Sequence, residues 1–382
     1  MTFTVSSIYF VQKAHLTPLQ LVLTGTMLEI SIFLFEIPTG VVADVYSRRL
    51  SVIIGTFLVG AGLLLEGSLP FFWAILLAQL LWGVGYTFTS GAQQAWISDE
   101  IGEEAAGQAF LRGAQMDQLG SLGGIVVGTL IGLLAINLPM VLAGGAFLLF
   151  GGFLVFSMPE TGFHPTPRED RTSLQHMLAT FQNGLAMMRR RPALLAVLGI
   201  GFVYGLYSEG FDRLWVASML QRFQFPIWQP VIWFGIIRAA AMLLTALATG
   251  WMQRRVDTTR TVQLARIMLF TSVALIASLA VFAWSHNLAL TIAIFLLISV
   301  LRQVNYPIHT AWVNHRLDPQ VRATVLSMSS QMDALGQIAG GPVLGIVAQQ
   351  ISIQAGLFGS AALLSPVLAL LGIQLKQGEE QK

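Results

Sequence analysis

Eleven apolar runs, each bounded by charges or turn residues, fall at about residues 18–43, 50–66, 71–97, 107–134, 138–157, 192–219, 228–252, 259–283, 287–313, 322–350 and 353–375. Runs of this length match the ~20 residues that a helix needs to cross ~30 Å of hydrocarbon. In lipid the backbone must satisfy its own hydrogen bonds, so consecutive runs of this kind fold as a bundle of spanning helices. Only 10% of the 382 residues are charged and the mean hydropathy is +0.70, whereas a soluble domain carries about 25% charge. A water-soluble fold is excluded, and the chain is read as an all-α, multi-pass membrane protein.

Before the first run stands "MTFTVSSIYFVQ", Met1 to Gln12, about 18 Å long as a helix. That is too short to span, and it lacks the basic start and small-residue cleavage site of a signal peptide. It is expected to be the outer half of a first helix whose inner half is missing. The single long polar stretch, residues 158–191, opens with "MPETGFHPTPREDR" and closes on Arg189, Arg190 and Arg191. Within it Leu174, Met177, Leu178, Phe181, Leu185 and Met188 recur at helical spacing, which predicts an amphipathic surface helix. The expected organisation is a membrane bundle over 1–157, a linker over 158–191, and a second bundle with a short tail over 192–382.

Lys and Arg favour short cytoplasmic loops. With the loop after residue 43 inside, Arg48, Arg49, Arg168, Arg171, Arg189, Arg190, Arg191, Arg254, Arg255, Arg260, Arg316, Arg322, Lys376 and Lys382 fall inside. Lys13 and Arg222 alone fall clearly outside. The linker and C-terminus are therefore expected in the cytoplasm. The net charge of +2 is accounted for by this asymmetry, and no basic patch interleaved with aromatics points to nucleic acid.

An internal repeat organises the spans. Ala95 and Trp96 recur as Ala311 and Trp312, and Gln115, Met116, Asp117, Leu119 and Gly120 recur as Gln331, Met332, Asp333, Leu335 and Gly336, all at an offset of 216 without a gap. A shared "QMD-x-LG" in the register of the tryptophan pair indicates duplication. Six spans separate the copies, so both cross in one direction and the repeat is parallel.

Two parallel six-helix halves joined by a cytoplasmic linker resemble the major facilitator superfamily. The loop "GVVADVYSRR" is similar to that family's motif of Gly, three residues, Asp, Arg, one residue, Gly and two basic residues. Gly40, Asp44, Arg48 and Arg49 match it; Val45 replaces the first Arg and Ser47 the second Gly. The resemblance implies a gate in which Asp44 faces the positive N-terminal end of the eleventh helix, near Arg322; the other reading is a plain turn with inward arginines. Proton-coupled exporters of the family carry an Arg in the fourth span where this chain has Gln79, four residues before Gly83. The Gly-Pro of the exporters' fifth span is absent too, and a counterpart stands in the eleventh as Gly341, Pro342 and Gly345.

Ionisable residues within spans cost kilocalories unless paired or wetted, and so mark function by default. They are Glu29 and Glu36 in the second span, Asp117 in the fifth and Asp333 in the eleventh, Glu209, Asp212 and Arg213 in the seventh, Arg238 in the eighth and Arg302 in the tenth. The resemblance implies that spans one, four, seven and ten line the cavity, which places Glu209, Asp212, Arg213 and Arg302 towards substrate. Glu29 and Glu209 are the expected proton-binding carboxylates and Arg302 the permanent cation. Asp117 and Asp333 are alternatively structural, and Asp212 with Arg213 alternatively an interfacial pair. Tyr204, Tyr207, Trp215, Tyr306 and Trp312 are pocket or core residues.

The chain has no cysteine, hence no thiolate site or disulfide. It has no Gly-Lys dipeptide and so no phosphate-binding loop. His309 and His315 near Asp318 are a conceivable metal cluster, with ordinary interfacial side chains the simpler account. The expectation is a monomeric secondary transporter of a bacterial cell membrane, working by alternating access without a cofactor. A resemblance to the tetracycline and multidrug exporter branch of that superfamily implies that it exports small hydrophobic or amphipathic compounds, driven by the proton gradient. The alternatives are metabolite uptake, a membrane-embedded enzyme, or a form made inactive by its short first helix.

Overall fold

The structure is a computed structural model that describes residues 2–164, 192–257, 261–316 and 319–380. The expected amphipathic linker helix, Asp318 and the side chains of His315 and Arg322 lie outside what is described. Every regular element among the described residues is helical: α1 (Thr2–Gln12), α2 (Pro18–Val45), α3 (Arg48–Ser68), α4 (Phe72–Thr89), α5 (Ala92–Ile101), α6 (Glu103–Leu134), α7 (Leu138–Ser157), α8 (Pro192–Arg222), α9 (Pro230–Arg255), α10 (Thr261–Trp284), α11 (Leu288–Arg316), α12 (Pro319–Gln350), α13 (Ile353–Leu364) and α14 (Pro366–Glu380). Five of them begin on Pro, whose missing N–H costs nothing in a first turn. Gly91, at φ +73°, interrupts one long span into α4 and α5, and Gly102, at φ +80°, turns α5 into α6; both angles are open to glycine without strain.

Ten helical stretches among the described residues are long and apolar enough to cross a membrane, counting α4 with α5 and α13 with α14 as one each. The 32-residue α12 is less apolar but equally long, and α1 is 11 residues long, too short to span. Together they make twelve helices. The repeat extends to the element boundaries: α6 and α12 begin and end 216 residues apart, as do the ends of α3 and α10 and the starts of α4 and α11.

The chain forms two compact units. The first comprises Met1–Leu16, Met27–Met177 and Trp228–Gly235, and the second Thr17–Thr26, Leu178–Ile227 and Ile236–Lys382. In the first, α3 is central and packs on α4 and α7, while α1 lies against α6 and α7. Gly55 and Gly85 approach backbone to backbone between α3 and α4. In the second unit, α8 packs most closely on α12. A Cβ at Gly205 would fall on the Asp333 backbone oxygen, one at Gly336 on that of Phe202, and one at Gly340 on that of Leu206. Small residues allow this approach, and in lipid close packing is a principal force between helices. The aromatic core beside it contains Trp215, stacked on Phe295 with ring centroids 4.1 Å apart, and Phe211 edge-on to Phe282 at 5.4 Å.

Candidate functional site: a polar cavity in the second unit

The α8–α12 contact sets one wall of a cavity of about 530 Å³. Tyr204, Tyr207, Ser208 and Asp212 reach it from α8, Arg302, Asn305, Tyr306 and His309 from α11, and Ser329, Ser330, Asp333 and Gln337 from α12. Leu275 and Leu326 are the large aliphatic side chains in the lining. A cavity meant for hydrophobic compounds would have only a few polar groups; most residues lining this one carry a hydroxyl, amide or charged group beside their apolar atoms.

Arg302, at mid-helix in α11, donates from Nη1 to Asp212 Oδ1 at 2.5 Å and from Nη2 to Oδ2 at 2.7 Å. The parallel two-bond geometry suits a guanidinium and a carboxylate and holds both planes fixed. Its guanidinium also lies over the Tyr207 and Phe211 rings, at 5.7 and 5.9 Å from their centroids, where a ring face attracts a cation. The pair remains open to the cavity, with 28% of the Arg302 and 44% of the Asp212 side chain exposed. Asp333, within electrostatic reach of Arg302, accepts from Gln337 Nε2 at 2.8 Å.

A second network positions the tyrosines. Asn305 donates from Nδ2 to the Tyr204 hydroxyl, which lies 3.0 Å from Ser272 Oγ, and Thr271 donates to Asn305 Oδ1 at 3.2 Å. The Asn305 amide is thereby fixed on both its atoms, and Tyr204 is presented to the cavity in one orientation. Sequence reading passed over Asn305 and Ser272. Asn305 lies three residues after Arg302, on the same helical face, and that spacing was the available signal.

Asp212 and Arg213, neighbours in the seventh span, each bond another residue. Asp212 turns to Arg302, and Arg213 instead donates from Nε to Glu209 Oε1 at 2.8 Å. Glu209 is 3% exposed and is not part of the cavity lining; Gly25 of α2 and Gly341 of α12 make room for it. Trp215 and Trp312 are packed core, at 1% and 0% exposure, whereas Tyr204, Tyr207 and Tyr306 line the cavity. His309 faces the cavity as well and stands edge-on to Tyr204. No cluster of three or more metal-ligating side chains occurs among the described residues.

The repeat mates Asp117 and Asp333 have different surroundings. Ser329, Asp333 and Gly336 lie along the face of α12 that meets α8 and the cavity. The equivalent face of α6 carries Gly113, Asp117 and Gly120, where Asp117 is exposed and neither glycine has an atom within 4 Å of its Cβ position. Glu29 is half-buried in the first unit.

The loop motif forms a tight network of its own. Arg48 bonds Asp99 and, at 3.1 Å, the Ala95 carbonyl, both on α5. Arg49 donates from Nε to the Met158 carbonyl at 2.7 Å. Ser47, standing where the motif has Gly, caps α3 by accepting from Leu50 N at 2.8 Å and donates to Glu160 Oε2 at 2.7 Å. That explains the departure from the motif, since a glycine would supply neither bond. Asp44 is 61% exposed at its side chain and 3.9 Å from Arg48; Gly40 has open space around its Cβ position. Losing one cap costs about 1 kcal/mol, and Ser47→Ala also orphans a Glu160 contact. A fall of about 1–2 kcal/mol in unfolding free energy is expected in detergent melts, and an unchanged melt contradicts it.

Comparison with known proteins agrees with this architecture. The sequence profile of the Major Facilitator Superfamily matches residues 1–340. An uncharacterized MFS-type transporter, YxaM of Bacillus subtilis (strain 168), is 22% identical over 341 residues, covering 88% of this chain and 82% of its own. Among solved structures, the nucleoside transporter NupG aligns with a TM-score of 0.76 at 16% identity, covering 100% of this chain and 95% of its own. A peptide transporter, POT, solved with sulfate, aligns at 0.76 and 14%, covering 99% and 92%. With a profile match that runs from the first helix into α12, the chain belongs to the Major Facilitator Superfamily.

Proposed function

We propose that the protein is a proton-coupled secondary transporter of a small polar or amphipathic solute, working by alternating access, with the second-unit cavity forming part of its substrate site. The Arg302–Asp212 pair open to that cavity carries this reading. A fixed, two-point charged group at mid-helix is costly in a membrane and gives a polar ligand something to orient against. The resemblance to exporters favours efflux. The scarcity of aliphatic lining favours a second reading, uptake of a polar metabolite. Glu29, Glu209, Asp117 and Asp333 are the proposed proton-exchanging groups in this reading, and Asp333 has the best claim because it alone of the four lines the cavity. The proposed setting is a bacterial cell membrane with the Arg48 end in the cytoplasm.

The test is a panel of nucleosides, dipeptides, sugars and lipophilic cations applied to purified protein in thermal-shift assays. A ligand at about 100 times its Kd stabilises the folded state by about 2.7 kcal/mol. A polar class is expected to raise the melting temperature of wild type and not of Asp212→Asn. Stabilisation by lipophilic cations alone would overturn the polar reading.

The gate at Gly40, Asp44, Arg48 and Arg49 is the second part of the proposal. Arg48 and Arg49, anchored on α5 and on the segment after α7, hold the short turn that follows Asp44 at the end of α2. A carboxylate at a helix N-terminus contributes about 0.3–1 kcal/mol, so Asp44→Asn should slow transport by roughly 2- to 5-fold. Unaltered flux at Asp44→Asn would reduce the motif to a structural turn.

A further inference from the structure

Glu66 stands outside everything described so far. It lies near the end of α3 and is 4% exposed, buried among α1, α3 and α4 of the first unit. Its carboxylate accepts from Ser6 Oγ at 2.7 Å on Oε1 and from Gln79 Nε2 at 2.7 Å on Oε2. The Tyr9 hydroxyl, on the same face of α1 as Ser6, is within its electrostatic reach. Two buried oxygens of the cluster have no hydrogen-bond partner, Tyr9 OH and Gln79 Oε1, on side chains that are 1% and 4% exposed. Buried polar atoms are rarely left unpaired, so the pair points to a further donor that enters the cluster.

The titratable and charged groups around it are few. Tyr9 is the titratable residue of α1, Tyr86 that of α4, and α7 has none; Arg48 and Arg49 sit at the opposite end of α3. Two neutral donors, the Ser6 hydroxyl and the Gln79 amide, hold the two carboxylate oxygens of Glu66.

We propose that Glu66, set between Ser6, Tyr9 and Gln79, is a proton-binding carboxyl group of the first unit, with Gln79 serving its ionised and its protonated form in turn. The ionised form accepts two hydrogen bonds, as the structure shows. When a proton from water joins Oε2, that oxygen becomes a donor, and a half-turn of the Gln79 amide brings Oε1 round to accept from it. An amide carries both a donor and an acceptor, so the turn exchanges one bond for another. One amide atom lacks a partner in either state, so Gln79 favours neither form over the other, and Tyr9 OH can donate or accept beside it. An Arg at this position has only donors and would serve the ionised form alone. Gln79 is thus read as a substitution that puts a two-state amide beside Glu66 in place of a fixed charge. This rests on the transporter reading only for its purpose; the site itself can be tested without a substrate.

The measurement is infrared difference spectroscopy of the purified full chain in lipid nanodiscs, stepped in pH. Wild type is expected to show a carboxylic-acid carbonyl band that grows on acidification and is absent in Glu66→Gln. In Gln79→Arg the band should vanish over the same pH range. In Ser6→Ala, which removes one donor to the carboxylate and disturbs packing least, it should persist at a pH where wild type has lost more than half of it. Loss of the band only in Glu66→Gln, with Gln79→Arg and Ser6→Ala both superimposing on wild type, would overturn the two-state site. A Glu66→Gln spectrum identical to wild type would overturn proton binding altogether. Should Glu66→Gln fail to fold, the Ser6→Ala and Gln79→Arg spectra decide alone. Neither outcome depends on whether a solute is carried, so transport can fail while the proton site stands.

Discussion

Removing the cation from the cavity, as in Arg302→Met, is expected to slow transport by roughly 30- to 150-fold, corresponding to about 2–3 kcal/mol for a truncated, hydrogen-bonded charge pair. The loss arises because Asp212 loses both of its donors at once. Stability should fall by less than the ~3–5 kcal/mol of a fully buried pair, because 44% of the Asp212 side chain is exposed and water can take part of the load. Arg302→Lys is not a mild change here, since a single ammonium cannot reproduce two parallel bonds. The exchange Asp212→Arg with Arg302→Asp should restore folding, read as monodispersity and melting temperature in detergent, without restoring transport. If Arg302→Met transports at the wild-type rate, the pair is a structural strut and the substrate reading of the cavity falls.

The second large effect concerns α8 and α12. Gly336→Val places side-chain atoms where the Phe202 backbone oxygen now lies, and Gly205→Val does the same at the Asp333 oxygen. Backbone cannot swing aside as a side-chain end can, so the two helices must separate. Overpacking of a well-fitted core costs about 1–3 kcal/mol, occasionally more, and each variant is expected at or above the upper end. The control is the repeat mate: Gly120→Val meets open space and should change stability by no more than about 0.5 kcal/mol. Equal destabilisation at Gly120 and Gly336 would show that the repeat, and not the α8–α12 contact, sets the requirement for glycine. Because the same contact forms the cavity wall that carries Asp333, Gly336→Val should also abolish ligand-induced stabilisation.

Glu66 shows why a boundary matters more than a residue type. A third span ended at residue 66 makes this glutamate a flanking charge of the kind expected at a membrane surface. The helix continues to Ser68, and its partners Ser6 and Gln79 come from segments 60 and 13 residues away. In the sequence Gln79 stands out for the arginine it replaces; its bond to Glu66 cannot be read there. The pairing of Asp212 with Arg302, 90 residues apart, was likewise hidden, because the nearer Arg213 is an equally plausible partner on sequence alone. A side chain's direction at a given helical position depends on which neighbour the helix packs against, and helices in lipid choose neighbours by surface fit over many residues.

What the sequence by itself determined is the part governed by local chemistry. Apolar run lengths set the number of spanning helices and where each lies to within a turn or so, because each backbone must satisfy its hydrogen bonds within its own segment. The duplication set the helix boundaries too, down to α6 and α12 starting and ending at one common offset. The loop motif located the network of Arg48 and Arg49. What only the tertiary structure decided is which buried charges meet. The two copies of "QMD-x-LG" are alike in sequence, yet Asp333 faces a cavity behind the tight α8–α12 contact while Asp117 is exposed on α6. The physical reason is that a helix pattern specifies a face, and the energy of a charge on that face is set by what packs across from it.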